Sequence, residues 1–409
     1  MHELTTGQKA AHAAFVTLML DPDQQVLVIE GFAGCGKTYL VNEIIRTLPK
    51  TMKMAELVTN NQAMTDMILS ASTNKAAHAL SEATGCNAET VHKTLGLKVK
   101  TDYRTGKSTL VESNTSLTDT ILIIDEASFI NSELLNIILR KTKSCKVVLI
   151  GDPAQLANPE DNTTPVFGSG FITSRMTEVV RQAEGNPIIE LATAFREVVN
   201  GNPWPKITLS PEVSHLNNDD FITALSTEFK TDWTPANSKI VANTNKRVQI
   251  YNSAVREMKD GTPHMKVGDW VVCNSFVSNE GTIIGTDENV QIQGLYPKTL
   301  FGIEGHAVSL LHRNNWFMPK NQAHKKKAIA EQKKQKHWGN LSQIYDTWVD
   351  LRSPYASTVY KAQGSTYKKV FIDLNDIGKT CRDPNQIARL LYVAVSRASE
   401  EVIMTGDLR

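Results

Sequence analysis

The eight residues GFAGCGKT, 31–38, restrict what this chain can fold into more than any other stretch of it. Gly31 and Gly36 let a loop wrap until its backbone N–H groups converge on one anion, and a helix starting beside Lys37 adds its own partial positive charge there. Such a loop works only between a buried strand and a helix. Both are present: VLVIE (26–30) has the character of a buried strand, and TYLVNEIIRTL (38–48) repeats apolar residues every three or four positions. Gly31, Ala33, Gly34, Cys35, Gly36, Lys37, Thr38 and Tyr39 are therefore expected around a phosphate chain. Lys37 is expected against its terminal phosphates and Thr38 on a Mg²⁺ ion.

Two more apolar runs end in polar groups. ILIID (121–125) leads into Glu126, and KVVLIGD (146–152) leads towards Gln155. Ligands of open α/β sheets lie at the carboxyl ends of the strands, which puts these groups beside the loop. Asp125 then holds Mg²⁺ through water, Glu126 polarises an attacking water, and Gln155 bridges that water and the terminal phosphate. Paired acids also open many helices, and an isolated glutamine is usually solvated, so these assignments depend on the neighbouring loop.

Strands alternating with helical stretches such as SELLNIILRKT (132–142) imply an α/β fold with parallel sheets covered by helices. A second α/β region is expected to follow, with strands at 239–244, 368–374 and 401–407 and a helix at 385–398. Between its parts the texture changes. Short strands and turn residues near 268–312 read as a small β-barrel, and a polar helical segment beyond it carries Lys325, Lys326, Lys327, Lys333, Lys334 and Lys336. GLKVKTDYRTGKSTLVE (96–112) reads as a β-hairpin turning at Arg104–Lys107. The expected plan is a first domain over 1–176 with a hairpin insertion at 96–118, a second domain over 177–260 and 351–409, and an insert over 261–350.

A net charge of +1 over 409 residues offers no global attraction to a polyanion, so any nucleic-acid binding requires a local groove. The cysteines, Cys35, Cys86, Cys145, Cys273 and Cys381, are scattered and include no CxxC pair. They suit neither a disulfide framework nor a zinc site. No apolar run approaches membrane-spanning length, and the N-terminal residues lack a basic-then-apolar leader pattern, so a cytoplasmic protein without a membrane partner is expected.

The order of motifs carries further information. Gln8 in LTTGQKAA, the phosphate loop, STNKAAHAL (72–80), TVHKTLGL (90–97), DEAS (125–128), GDPAQL (151–156), TEVVRQ (177–182), ANTNKRV (242–248), VYKAQGST (359–366) and LYVAVSRA (391–398) follow one another along the chain. This series resembles that of superfamily 1 helicases, in particular the B-type, 5′→3′ branch, over nearly the whole chain. The resemblance implies two RecA-like domains, ATP and Mg²⁺, and hydrolysis-driven 5′→3′ movement on single-stranded DNA with unwinding of duplex or forked DNA. Protein displacement by a single-strand-stimulated ATPase, or 3′→5′ polarity, are the alternatives. Single-strand-binding, replisome or recombination proteins are the partners it suggests, in a bacterial or phage-infected cytoplasm.

The same resemblance implies that Gln8 reads adenine, that Gly364 belongs to the nucleotide site, and that Arg181 and Arg397 reach the γ-phosphate from the second domain. A guanidinium delivered in this way stabilises transition-state charge only when the cleft is shut, which couples nucleotide state to movement. Thr73, Asn74, Lys75, His78, Thr90 and His92 are the implied DNA contacts of the first domain, and Thr244, Asn245, Thr358, Lys361 and Gln363 those of the second. The hairpin occupies the place of a strand-separating wedge, with Tyr103 a flat face for an end base pair; an ordinary surface hairpin with an exposed tyrosine reads equally well. The lysine-rich segment reads as a solvated helix face or as a contact for DNA or a partner.

Overall fold

The computed structural model describes residues 3–59, 64, 66–101, 108–114, 116–158, 164–178, 185–230, 232–279, 281–311 and 313–408. The turn of the hairpin with Tyr103, and the segment with Arg181, lie outside the described residues. The chain divides into two compact units: 1–98, 110–208 and 383–396 make unit 1, and 99–109, 209–382 and 397–409 make unit 2.

Through the first half of the chain the elements run α1 (Thr6–Leu20), β1 (Val26–Gly31), α2 (Lys37–Thr59), β2 (Asp66–Ala71), α3 (Asn74–Thr84), β3 (Ala88–Thr90), α4 (Val91–Thr94), β4 (Leu97–Thr101), β5 (Ser108–Glu112), β6 (Thr118–Asp125), α5 (Ser132–Lys141), β7 (Ser144–Gly151), β8 (Ile172–Met176) and α6 (Pro187–Val199). Six of the strands form one parallel sheet in the order β3-β2-β6-β7-β1-β8. Alternate residues of each central strand face opposite sides. Leu27, Ile29, Ile121, Ile123, Val148 and Ile150 pack with Phe15, Leu40 and Ile44, whereas Val28, Leu122, Ile124, Val147 and Leu149 pack with Leu134 and Ile138. Burial on both faces is why these strands read as unbroken apolar runs.

Helix α2 continues past the apolar pattern read at 38–48, through Pro49, to Thr59. The proline removes one N–H, but Thr51 and Ala55 are buried in the following turns, and that packing outweighs a single missing hydrogen bond. Strands β4 and β5 pair as a separate two-stranded sheet, the arms of the expected hairpin, but residues 99–109, expected with the first domain, group with unit 2.

The second half continues with β9 (Val213–Leu216), α7 (Asn218–Glu228), β10 (Ser238–Ala242), α8 (Asn245–Asp260), β11 (Trp270–Cys273), β12 (Val277–Asn279), β13 (Thr282–Ile284), β14 (Asn289–Leu300), β15 (Ile303–Leu310), β16 (Arg313–Pro319), α9 (Gln322–Lys334), α10 (Trp338–Thr347), β17 (Leu351–Arg352), β18 (Ala356–Thr358), α11 (Val359–Ala362), β19 (Tyr367–Asp373), α12 (Leu374–Thr380), α13 (Pro384–Val395) and β20 (Ala398–Thr405). A parallel sheet in the order β18-β10-β19-β20-β9 forms the core of unit 2. Phe221, Phe229, Trp233, Tyr251, Tyr355 and Phe371 pack over it.

The insert is antiparallel, in the order β16-β15-β14-β11-β17. A bridge between Phe317 and Trp348, with the Val349 N–H donating to the Phe317 carbonyl at 2.9 Å, joins the chain just before β17 to the far edge strand β16. That contact returns the sheet on itself, as a small barrel requires. Lys325 does not lie on a solvated face: its ammonium donates to the Trp348 carbonyl at 2.7 Å, and burial lowers its pKa. Lys326, Lys327, Lys334 and Lys336 are exposed.

Residues 185–208 and helix α13, expected with the second domain, fall in unit 1. Helix α13 is buried at Ile387, Ala388 and from Leu390 to Val395, and packs against α6, where Asn385 also donates to the Val199 carbonyl at 3.0 Å. A helix so extensively apolar needs cover on several sides, which a solvent-facing position on one sheet does not supply.

Candidate nucleotide and nucleic-acid site

The loop 31–38 leaves β1 and enters α2 at Lys37, with Gly34 and Gly36 at φ of 82° and 78°. Gly31 is required for space: a Cβ there would sit 2.7 Å from Cys35 Sγ and 2.9 Å from Lys37 Cγ. The Lys37 ammonium donates to the carbonyls of Gly31 (3.0 Å) and Phe32 (3.2 Å). Burial disfavours its charge, but Cys35, Asp152, Glu126 and Asp125 outweigh burial and raise its pKa. Burial also pushes the Cys35 thiol up.

Gln8 is buried against this loop. Its Nε2 donates to the Cys35 carbonyl at 3.1 Å, and its Oε1 accepts from the Thr5 N–H at 3.0 Å. Tyr39, one turn further on, is exposed.

Asp125 and Glu126 end β6, beside β2 and β7 in the sheet. Burial raises the Asp125 pKa, while Lys37 and the Glu126 N–H, which donates to Oδ1 at 2.9 Å, pull it down. Glu126 adopts the left-handed conformation, φ 55° and ψ 45°, with its carbonyl accepting from Ser72 Oγ at 2.6 Å. A non-glycine residue there carries strain that persists only when its surroundings impose it. Gly151, at the end of β7, has no room for a side chain: a Cβ would lie 3.0 Å from the Ala127 nitrogen. Asp152 and Gln155 follow, both buried.

Thr38 and Asp125 offer hydroxyl and carboxylate oxygens, the hard donors that suit Mg²⁺. Among the described residues no group of three or more His, Cys, Asp or Glu could hold a metal by itself.

The four threonines expected to grip DNA share one local structure. Thr73, Thr90, Thr244 and Thr358 are the N-caps of α3, α4, α8 and α11, each accepting from the backbone N–H three residues on. The cap uses an oxygen lone pair and leaves the hydroxyl proton for another acceptor. At Thr244 that proton goes to Asp376 Oδ1 at 2.9 Å, while Asp376 Oδ2 accepts from the N–H groups of Asn243 and Thr244. Asn74, His78 and Asn245 are exposed, and Lys75 and His92 are half-buried, with burial lowering the His92 pKa. Lys361 donates to Asn274 Oδ1 at 2.9 Å and to Asp287 at 2.7 Å, so its charge is paired within unit 2. Gln363 is buried, and Gly364 has φ 75°. Arg397 is buried in unit 2 and donates to the Ser365 carbonyl at 3.2 Å.

Sequence reasoning missed several groups at the loop. Ala33 N–H donates to the hydroxyl of Tyr392 at 2.9 Å, and that hydroxyl donates to Asp152. The guanidinium of Arg196 lies 3.0 Å from the centre of the Phe32 ring. Tyr392 lies within LYVAVSRA; no sequence signal marks Arg196.

A glycine-rich loop between strand and helix, its lysine ringed by carboxylates at the ends of parallel strands, defines a P-loop nucleotide-binding protein, here with a second RecA-like sheet. Comparison with known proteins narrows the class. Residues 3–223 match the AAA domain family and residues 354–405 the UvrD-like helicase C-terminal domain. The chain is 29% identical over 267 residues to the ATP-dependent DNA helicase dda of Enterobacteria phage T4, covering 62% of this chain and 57% of that protein. It is 34% identical over 171 residues to the ATP-dependent RecD2 DNA helicase of Deinococcus radiodurans, covering 41% of this chain and 21% of that protein. It thus spans less than two thirds of either relative. The fold is similar to Pif1 helicase from Bacteroides, solved with ADP-AlF3 and ssDNA (TM-score 0.53, 16% identity, 100% of this chain and 94% of that one). It is also similar to Pif1 helicase from Candida albicans (TM-score 0.52, 16% identity, 98% and 94%). The chain belongs to the AAA domain family.

Proposed function

We propose that this chain is an ATP-dependent DNA helicase that moves 5′→3′ on single-stranded DNA and opens duplexes ahead of it. The observation that carries this reading is Lys37, held in the phosphate loop, its charge favoured by Asp125 and Glu126 at the end of β6. In this reading ATP lies along residues 31–38. Thr38 and Asp125 hold Mg²⁺, which screens phosphate charge when bound. Glu126 orients and deprotonates the attacking water, with Gln155 beside it, and Arg181 and Arg397 stabilise the developing charge. The capped helix N-termini at Thr73, Thr90, Thr244 and Thr358 present N–H groups suited to the phosphates of a single strand. The named activities of the T4 and Deinococcus relatives support the same assignment, and DNA is the substrate they suggest.

The test is ATP hydrolysis with and without single-stranded DNA, followed by unwinding of duplexes with a 5′ or a 3′ tail. The expected result is strong stimulation by DNA and unwinding of the 5′-tailed substrate. Preference for the 3′ tail overturns the polarity, and hydrolysis indifferent to DNA overturns the motor. Stimulated hydrolysis that strips streptavidin from a biotinylated single strand but opens no duplex identifies a translocase that displaces proteins.

A further inference from the structure

Helix α13 holds the phosphate site with one face. Arg389 and Tyr392 are three residues apart and therefore neighbours on the helix surface. Arg389 Nη1 donates to the carbonyls of Pro153 (2.6 Å) and Gln155 (2.9 Å), and Tyr392 donates to the Asp152 carboxylate. These three contacts fix the turn 152–155 from outside. The same Tyr392 hydroxyl accepts from the N–H of Ala33 in the middle of the phosphate loop. The direction of this chain of bonds is set by chemistry: a carboxylate only accepts, a peptide N–H only donates, and a phenol has one proton to give. Burial and the nearby Asp152 hold the tyrosine pKa well above its ordinary value, so the bridge keeps its proton. Arg196 of helix α6 lies over the Phe32 ring of the same loop.

Two residues beyond the end of α13 the chain reaches Arg397, the first residue of the last segment of unit 2. Helix α13 is thus bonded to Ala33 and to the turn that carries Gln155, and it runs directly in sequence into the segment that bears Arg397. We propose that Arg389 and Tyr392 are positioning residues that relay the state of the phosphate site along α13 to Arg397. This rests on the reading of Gln155 and Arg397 given above.

The relay is tested in the full chain with Tyr392→Phe, Arg389→Ala and Arg389→Lys. The readouts are ATP turnover with saturating oligo-dT, KM for ATP, binding of a fluorescent ATP analogue, and melting temperature. Tyr392→Phe and Arg389→Ala are expected to lower kcat by about tenfold or more, with KM and analogue affinity changed by less than about threefold. Arg389→Lys keeps a charged donor and is expected to recover part of the loss. The double variant is expected to be little worse than the poorer single one, because both act through one helix. Should Tyr392→Phe fail to fold, the half-buried Arg389 carries the same test. Losses of kcat that follow analogue affinity or melting temperature, or variants that match the wild type, overturn the relay. A wild-type chain that does not hydrolyse ATP overturns instead the function on which the relay rests.

Discussion

Gln8 and Cys35 are joined by a hydrogen bond of 3.1 Å from a side-chain amide to a backbone carbonyl, tying the first helix to the phosphate loop. The other end of the Gln8 amide completes a capping box with Thr5. The fit is close, since a Cβ on Gly36 would come within 2.5 Å of Gln8 Nε2. Gln8→Ala therefore removes one of the two capping-box bonds and a loop contact together, while Thr5 remains the N-cap. It is expected to cost about 1 kcal/mol of stability and to raise KM for ATP several-fold. If Gln8 also reads the base, preference for ATP over GTP narrows. Melting curves and kinetics with both nucleotides separate the roles; an unchanged KM leaves Gln8 as a cap alone.

Lys37 balances three carboxylates and two carbonyls inside the loop. Lys37→Ala is expected to lower turnover on the order of 10²–10³-fold, the usual cost of removing a group that stabilises transition-state charge. Retention of a tenth of wild-type turnover, measured by phosphate release, rules out Lys37 as the phosphate lysine.

Glu126 combines a strained backbone with a candidate base. Glu126→Gln is expected to keep the fold and ATP binding while turnover falls by about 10²-fold or more. Glu126→Gly is expected to be equally inactive yet to melt no lower than wild type, because glycine adopts φ 55° without strain. Glu126→Val should melt lower, since a branched side chain resists this conformation. Turnover within threefold of wild type for the glutamine variant removes Glu126 from the base role.

Arg181 and Arg397 should differ from Lys37 in kind. Arg181→Ala and Arg397→Ala are expected to lower kcat on the order of 10³-fold with little loss of nucleotide affinity, because the loop makes the ground-state contacts. Arg397 is buried on the Ser365 carbonyl, so Arg397→Lys accompanies it as a control for folding. Binding lost in proportion to rate, in titrations with a fluorescent ATP analogue, marks a ground-state or structural role.

Asp287 neutralises Lys361, one of the proposed DNA contacts, at 2.7 Å. It has φ 61°, a conformation asparagine tolerates well, so Asp287→Asn removes the charge and little else. Single-stranded DNA is expected to bind several-fold more tightly at low salt, with the gain shrinking as salt rises. Fluorescence anisotropy across a salt series checks this; equal affinity throughout places Lys361 away from the strand.

The phosphate loop, its strand and helix, and the acids ending β6 were legible from residues alone, because each is set by interactions a few positions long. Glycine spacing gives the loop its shape, and burial on both faces makes parallel strands continuous apolar runs. The second sheet and the insert were legible for the same reason. The extent of α2 beyond Pro49 was not, because packing of Thr51 and Ala55 decided it.

The partners of the polar groups were beyond local pattern. Thr244 gives its hydroxyl proton to Asp376, 132 residues away, and Ala33 meets Tyr392 across 359 residues. Lys325 was counted with a solvated face and is half-buried, donating to the Trp348 carbonyl. Sequence determined which chemical groups this protein has and the local frame that carries them. Tertiary structure alone decided which lone pair meets which proton, because a hydrogen bond needs its atoms within about 3 Å, and only the packing of whole elements brings distant residues that close.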